Sequence, residues 1–256
     1  MVEICGFLKM YNESENIKIC LEQMKKICDE IVICDCDSTD NSVEIAKQYT
    51  SHIISVPNVF SDELIHKQKL LEVALSLKPK WILWLDPDEV LDARAAAGVK
   101  QICEYGSEFD VDGFNLHTYN LWGSKSWLRT DSLFFEKWDV KLWRNTGKLK
   151  FNEVPGLHQP QHPAGMQRII PCNLQCIHLG FSSFPKIARK FAVYESLGQS
   201  GWALERLSPL FPNIQLAPVD LSMYPPELRP LAEPPPKITL EEWNKLLDEE
   251  RKKHKK

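Results

Sequence analysis

An α/β fold with a mainly parallel sheet flanked by helices is predicted from three observations. Short apolar runs recur along the first third of the chain, segments of helical spacing separate them, and polar clusters stand where the runs end.

The runs Ile4 to Leu8, Ile31 to Cys36, Ile53 to Val56 and Trp81 to Leu85 read as strands. Between them, Glu15 to Cys28 sets Ile17, Leu21, Met24 and Ile27 on one helical face, and Ser42 to Tyr49 and Asp62 to Leu77 supply two more helices. From about Gly113 the texture changes. Gly113-Phe-Asn-Leu-His-Thr-Tyr119 and Lys137-Trp-Asp-Val-Lys-Leu-Trp143 alternate as strands, Leu174 to His178 is a further short strand, and Phe184 to Leu197 is a helix with Ile187, Phe191 and Tyr194 inward. The prolines from Pro209 to Pro236 forbid a long regular element, which predicts a Pro-rich strap followed by a terminal helix near Leu240 to Lys252. The expected organisation is a catalytic domain at 1–207, divided into halves 1–112 and 113–207, and an extension at 208–256.

The 256 residues are 43% hydrophobic and 26% charged, which suits a globular chain with a substantial core. A net charge of -4 argues against broad attraction to nucleic acid. The basic end Arg251-Lys-Lys-His-Lys-Lys256 is read as a solvated helix terminus, with a weak contact to an anionic membrane surface as the other reading. No apolar run reaches the length of a transmembrane helix and the N-terminus lacks signal-peptide features, so a cytoplasmic protein is expected. In that compartment Cys5, Cys20, Cys28, Cys34 and Cys36 are expected to be reduced core thiols, and neither Cys34-x-Cys36 nor the Cys172, Cys176 and His178 group has zinc-finger spacing.

The most informative stretch is Trp81-Ile-Leu-Trp-Leu-Asp-Pro-Asp-Glu89, an apolar run that stops at three carboxylates. Acids also end strands merely by capping or taking up water. With Pro87 kinking the chain, however, Asp86 and Asp88 can turn toward one centre, where hard oxygens suit Mg²⁺ or Mn²⁺ and the ion would carry a diphosphate. Tyr11-Asn12-Glu13 and Asp35 to Asp40 end two other strands, and in open sheets ligands bind at the carboxyl ends. A Gly-x-Gly-x-x-Gly after the first strand, a Gly-Lys-Ser/Thr and a Gly-x-Ser-x-Gly are all missing, which leaves the dinucleotide fold, the P-loop and the serine hydrolase elbow without support.

Met10-Tyr-Asn-Glu13, Asp35-Cys-Asp-Ser-Thr-Asp-Asn-Ser42 and Leu85-Asp-Pro-Asp-Glu89, in this order, resemble the family 2 type glycosyltransferases with the glycosyltransferase A fold. The resemblance runs from about Val2 to Gly198. Through Lys137-Trp-Asp-Val-Lys-Leu-Trp-Arg144, Gly156-Leu-His158 and Ile177-His-Leu-Gly180 with Lys190 and Tyr194, it is similar to the branch of lipopolysaccharide core sugar transferases. It implies that Asp35 reads the nucleotide base, that Leu8, Tyr11 and Glu13 lie beside base and ribose, that Asp86 meets ribose or the metal, and that Asp88 ligates Mn²⁺ or Mg²⁺. His158 is a further candidate for metal or diphosphate, and Arg144 for holding the loop or the diphosphate. Asp40 and Ser42 are read rather as helix caps.

This branch commonly has His-Glu where the chain has His158-Gln159, and glutamine cannot accept the acceptor's proton. Asp139 and Glu153 are the candidate bases, with Glu136 beside them; otherwise no such base is used, or transfer activity is lost. Trp122, Trp127, Trp143, Tyr119 and Phe135 are candidates for a sugar-stacking platform or for core.

The expected function is therefore metal-dependent transfer of a sugar, with inversion, from a nucleoside diphosphate donor, UDP or GDP, to a hydroxyl acceptor such as a glycan. The competing readings are a sugar-nucleotide or glycan-binding scaffold without activity, and a nucleotidyltransferase, for which the Leu8-Lys-Met-Tyr11 loop lacks glycines.

Overall fold

The computed structural model describes residues 3–58, 63–131, 137–152, 160 and 162–254. Its elements begin with β1 (Ile4–Met10), α1 (Ile17–Ile27), β2 (Glu30–Asp35), α2 (Ser42–Ala46), β3 (His52–Ser55), α3 (Leu64–Ser76) and β4 (Trp81–Trp84). The four expected N-terminal strands and three helices are thus present in order. Next come β5 (Glu89–Leu91), α4 (Ala95–Glu108), β6 (Gly113–Asn120), β7 (Trp127–Arg129), β8 (Trp138–Arg144) and β9 (Ile169–His178). The C-terminal region adds α5 (Phe184–Ser196), α6 (Ser200–Leu207), β10 (Leu216–Pro218) and α7 (Leu240–His254).

The main sheet has the order β3-β2-β1-β4-β8-β6-β9-β5. Its first four strands are parallel, whereas β8 enters antiparallel to β4 and β6 antiparallel to β8. The chain steps from β1 to β2 to β3 in one direction and then returns to lay β4 on the other side of β1. That reversal is a topological switch point between β1 and β4, and open α/β sheets bind ligands outside the carboxyl ends of the strands at such a point.

The chain divides into two units, the first made of 1–117 and 138–176 and the second of 118–137 and 177–256. In the first unit, strand alternation sorts the core onto the two faces of the sheet. One face buries Ile4, Leu8, Ile33, Trp81 and Leu83 against Ile17, Leu21 and Met24 of α1 and Val99 and Cys103 of α4. The other buries Phe7, Val32, Ile82, Trp84 and Trp143 against Leu70, Leu71 and Ala74 of α3. Lys25 and Lys26 in the last turn of α1 complement the negative end of its dipole. The cysteines expected in the core are buried free thiols.

In the second unit α5, α6 and α7 pack around Ile187, Phe191, Ala203, Leu207, Trp243 and Leu247. The start of α7 is a reciprocal capping box. The Thr239 amide donates to Glu242 Oε2 at 2.8 Å, and the Glu242 amide donates to Thr239 Oγ1 at 3.2 Å.

Candidate active site

The site is built from the loops that follow β1, β2 and β4. Asn12 sits in the left-handed region at φ 53°, a conformation that its short polar side chain tolerates. Its amide donates to Ser38 Oγ at 3.0 Å, and its Oδ1 accepts from the Thr39 amide at 2.7 Å and the Asp40 amide at 3.3 Å. One residue on, the Glu13 amide donates to Ser42 Oγ at 2.8 Å. Asp40 Oδ1 receives the Ser42 amide at 2.9 Å and Asp40 Oδ2 receives the Ser14 amide at 3.0 Å, so Asp40 and Ser42 tie the two loops together at the start of α2. Tyr11 is 36% exposed, and Glu13 also accepts from Asn16 Nδ2 at 3.0 Å. Leu8, expected beside base and ribose, instead lies within β1, paired with Ile33, and its side chain is sealed in the core.

Asp35 ends β2 and is buried; the Ser38 amide donates to its Oδ1 at 3.2 Å. Asp86 follows β4. Its Oδ1 accepts from Trp84 Nε1 at 3.0 Å, its amide donates to Glu89 Oε2 at 2.9 Å, and its carbonyl accepts from the Glu89 amide at 2.9 Å. Asp88 is 5% exposed, and Cys20 from α1 lies beneath the turn with its thiol 3.6 Å from the Asp86 carbonyl. Burial, then the charges of Glu89, Asp86 and Asp88, push that thiol well up, so Cys20 is a neutral floor.

Glu89, read in the sequence only as the third acid of the motif, is held by a partner far along the chain. Lys141 Nζ donates to its Oε1 at 2.8 Å and its Oε2 at 2.6 Å, and also stands 4.0 Å from Asp86 Oδ2. Burial works against the Lys141 ammonium, but Glu89 and then Asp86 prevail and keep it charged. A second buried lysine, Lys67 of α3, lies 5.9 Å from the Trp84 ring centroid, with its Nζ 3.1 Å from Glu63 and 3.2 Å from the Pro160 carbonyl. Sequence reasoning missed both lysines in their pairing. The signal was a lysine at the centre of each apolar pattern, since a lysine is seldom sealed without a counter-charge.

Asp139 is half-buried on β8 opposite Leu116, two residues before Lys141, and its charge acts on the Lys141 ammonium. Arg144, by contrast, is paired with Trp81 at the start of β4, the end away from Asp86, and its Nη2 meets Asp110 at 2.6 Å and Asp112 at 3.4 Å. His158, Gln159 and Glu153, with Phe135 and Glu136, lie outside the described residues. The aromatic platform needs correction at two rings. Trp143 is fully buried against Phe7 and Trp84, and Trp122 is 2% exposed beneath the Arg129 guanidinium, so neither offers a face to a sugar. Trp138 does lie open, 48% exposed and stacked on His117 with centroids 5.0 Å apart.

The donor set suits a hard divalent cation with two protein carboxylates, Asp86 and Asp88, because Mg²⁺ is usually held by one or two carboxylates together with substrate phosphates. Glu89 is already neutralised by Lys141. Among the described residues no group of three or more His, Cys, Asp or Glu forms a metal cluster.

Residues 7–120 match the model of glycosyl transferase family 2. The matched segment runs from within β1 to the end of β6. The chain is 29% identical over 109 residues to the SPbeta prophage-derived glycosyltransferase SunS of Bacillus subtilis (strain 168), a match covering 42% of this chain and 25% of SunS. An uncharacterized glycosyltransferase of Rickettsia felis is 33% identical over 91 residues, 36% of this chain and 30% of that protein. The chain thus spans less than a third of the length of these relatives. The crystal structure of S. aureus TarS 1-349 superposes with a TM-score of 0.49 at 16% identity, over 80% of this chain and 69% of that one. No helix of the described residues is long and apolar enough to cross a membrane.

In the second unit, the His178 motif that follows the matched segment forms its own polar chain. His178 Nδ1 lies 2.8 Å from Asn120 Oδ1 and its Nε2 lies 3.5 Å from Lys190 Nζ. Since a lysine ammonium only donates, Nε2 is the accepting nitrogen and Nδ1 carries the proton to Asn120.

Proposed function

We propose that the protein is a metal-dependent glycosyltransferase that moves a sugar from a nucleoside diphosphate sugar to a hydroxyl acceptor with inversion. The carrying observation is that Asp35 closes β2 while Asp86 and Asp88 close β4, on the two sides of β1, at the switch point of the parallel strands. In this reading Asp35 accepts a base N–H, Tyr11 and Glu13 border the ribose, and Asp86 and Asp88 hold Mn²⁺ or Mg²⁺. The cation, when bound, neutralises the charge that grows on the departing diphosphate. UDP or GDP is the proposed nucleotide and a glycan the proposed acceptor.

Asp139 is the proposed base. The acceptor oxygen bonds to the anomeric carbon as the carbon–oxygen bond to the diphosphate breaks, and the acceptor proton passes to the Asp139 carboxylate. A single displacement of this kind inverts the anomeric centre. Glu153 takes the same place in the proposal if Asp139→Asn leaves turnover unchanged.

Thermal unfolding against UDP-, GDP-, dTDP- and CMP-linked sugars, each with Mn²⁺ and with EDTA, tests the donor reading, because a ligand of the native state alone raises its stability. The expected result is a metal-dependent rise for one nucleotide, abolished by Asp88→Asn. Folded protein that responds to none of the four would sink it.

A further inference from the structure

We infer that Lys141, acting through Glu89, is a positioning residue that holds the Asp86 to Glu89 turn in the shape that presents Asp86 and Asp88 together, an inference that rests on the donor-site reading. Lys141 belongs to β8 and lies 52 positions along the chain from Glu89. Its direction comes from an irregularity in the sheet. Phe114 pairs with Leu142 while the next residue, Asn115, pairs with Val140, so Lys141 is the extra residue of a bulge. Bulges release a side chain from strand alternation and re-aim it. Here the re-aimed side chain is a fully buried ammonium that reaches both oxygens of a carboxylate 1% exposed.

Glu89 in turn closes the acid turn from two sides. Its amide donates to the Asp86 carbonyl, and its Oε2 accepts from the Asp86 amide, each at 2.9 Å. If the ammonium is removed, Glu89 becomes a buried carboxylate beside two others, and the escape from that cost is rotation toward water. Rotation takes the acceptor away from the Asp86 amide and leaves the turn open on one side. A buried ion pair can equally serve only to fill a core, and replacing it by an apolar pair is then neutral or stabilising. The two roles separate in a variant that repairs the packing but not the acceptor.

The experiment compares wild type, Lys141→Met and the double variant Glu89→Met with Lys141→Met. It reads thermal unfolding, hydrogen exchange of the Asp86 amide, and binding of Mn²⁺ with UDP or with GDP. Lys141→Met is expected to lower the unfolding midpoint and the double variant to recover it. In both variants the Asp86 amide should exchange at least about tenfold faster than in wild type, with amides of α7 unchanged, and Mn²⁺–nucleotide binding should weaken by about tenfold or more, the equivalent of ~1.4 kcal/mol. Wild-type exchange and affinity in the double variant would overturn the inference and make the pair a core filler. If wild type binds neither Mn²⁺ nor nucleotide, the donor reading fails, and exchange at Asp86 decides by itself: acceleration supports the holding role, and an unchanged rate overturns it.

Discussion

Trp84 and Asp86 are joined across the end of β4 by an indole N–H that donates to Asp86 Oδ1 at 3.0 Å. The indole is itself fixed by Phe7, 4.6 Å away between centroids, and by Phe151 at 6.2 Å. Trp84→Phe keeps most of this packing and removes the donor. A hydrogen bond of about 0.5–1.5 kcal/mol converts into about a two- to tenfold loss. Titration of Mn²⁺ with nucleotide should find affinity reduced by that factor, and unaltered affinity would show that the indole orients nothing.

The loop after β1 depends on Asn12 twice, through its left-handed backbone and through Oδ1, which accepts two amides of the β2 loop. Asn12→Gly loses the acceptor but keeps the backbone unstrained, whereas Asn12→Ala also loads the strain. Both variants should be destabilised, Ala by about 1 kcal/mol more than Gly, in urea unfolding. Equal midpoints would show that the backbone is relaxed elsewhere.

Most of the parallel half was readable because each strand is a short apolar run set off by polar turns, and α1 carries its buried face at clean helical spacing. The helix α4 sets Ala95, Val99 and Cys103 at helical spacing, but its last inward position is Gly106, where the Trp81 ring supplies the bulk that a side chain would otherwise announce, so the pattern fades toward its end. Strand direction was equally hidden. Arg144 follows an apolar strand much as Asp86 does, but β8 runs antiparallel to β4 and carries Arg144 to the far end. At the site, Asp35, Asp86 and Asp88 stand out as acids ending strands. The Glu89–Lys141 pairing depends on a bulge and a long-range contact that no local pattern encodes.

Gly106 offers a test of that packing. A Cβ there would lie 2.5 Å from Trp81 Cη2 and 2.7 Å from Cζ2, on a rigid buried ring. Ala gains about 1 kcal/mol in helix propensity, yet overpacking costs roughly 1–3 kcal/mol, so the clash prevails. Gly106→Ala should lower the unfolding midpoint; a stabilised variant would mean that α4 stands further from β4.

Asp112 should give the first unit a share of its acid sensitivity. The Arg168 amide at 3.0 Å, against the effect of burial, and then the Gln167 amide at 2.8 Å and Arg144, hold its carboxyl below its ordinary value of 3.8. Because the folded value is depressed, the stability it contributes is complete well above that ordinary value and is lost as pH falls through the lower folded one. Asp112→Asn should cost roughly 1–2 kcal/mol at neutral pH and less in acid, so that mutant and wild-type unfolding curves converge as pH falls through the depressed folded value. A constant offset at every pH would assign the loss to geometry rather than charge.

The second unit takes residues 118–137 from the middle of the chain and 177–256 from its end. On the ribosome, where synthesis proceeds at about 5–20 residues per second, the early segment therefore emerges long before α7 supplies Trp243 and Leu247. During that interval Trp122 has no finished core to enter. Nascent chains stalled between residues 138 and 240 should thus be the species that hydrophobic-binding chaperones hold, and a stall placed beyond α7 should release them.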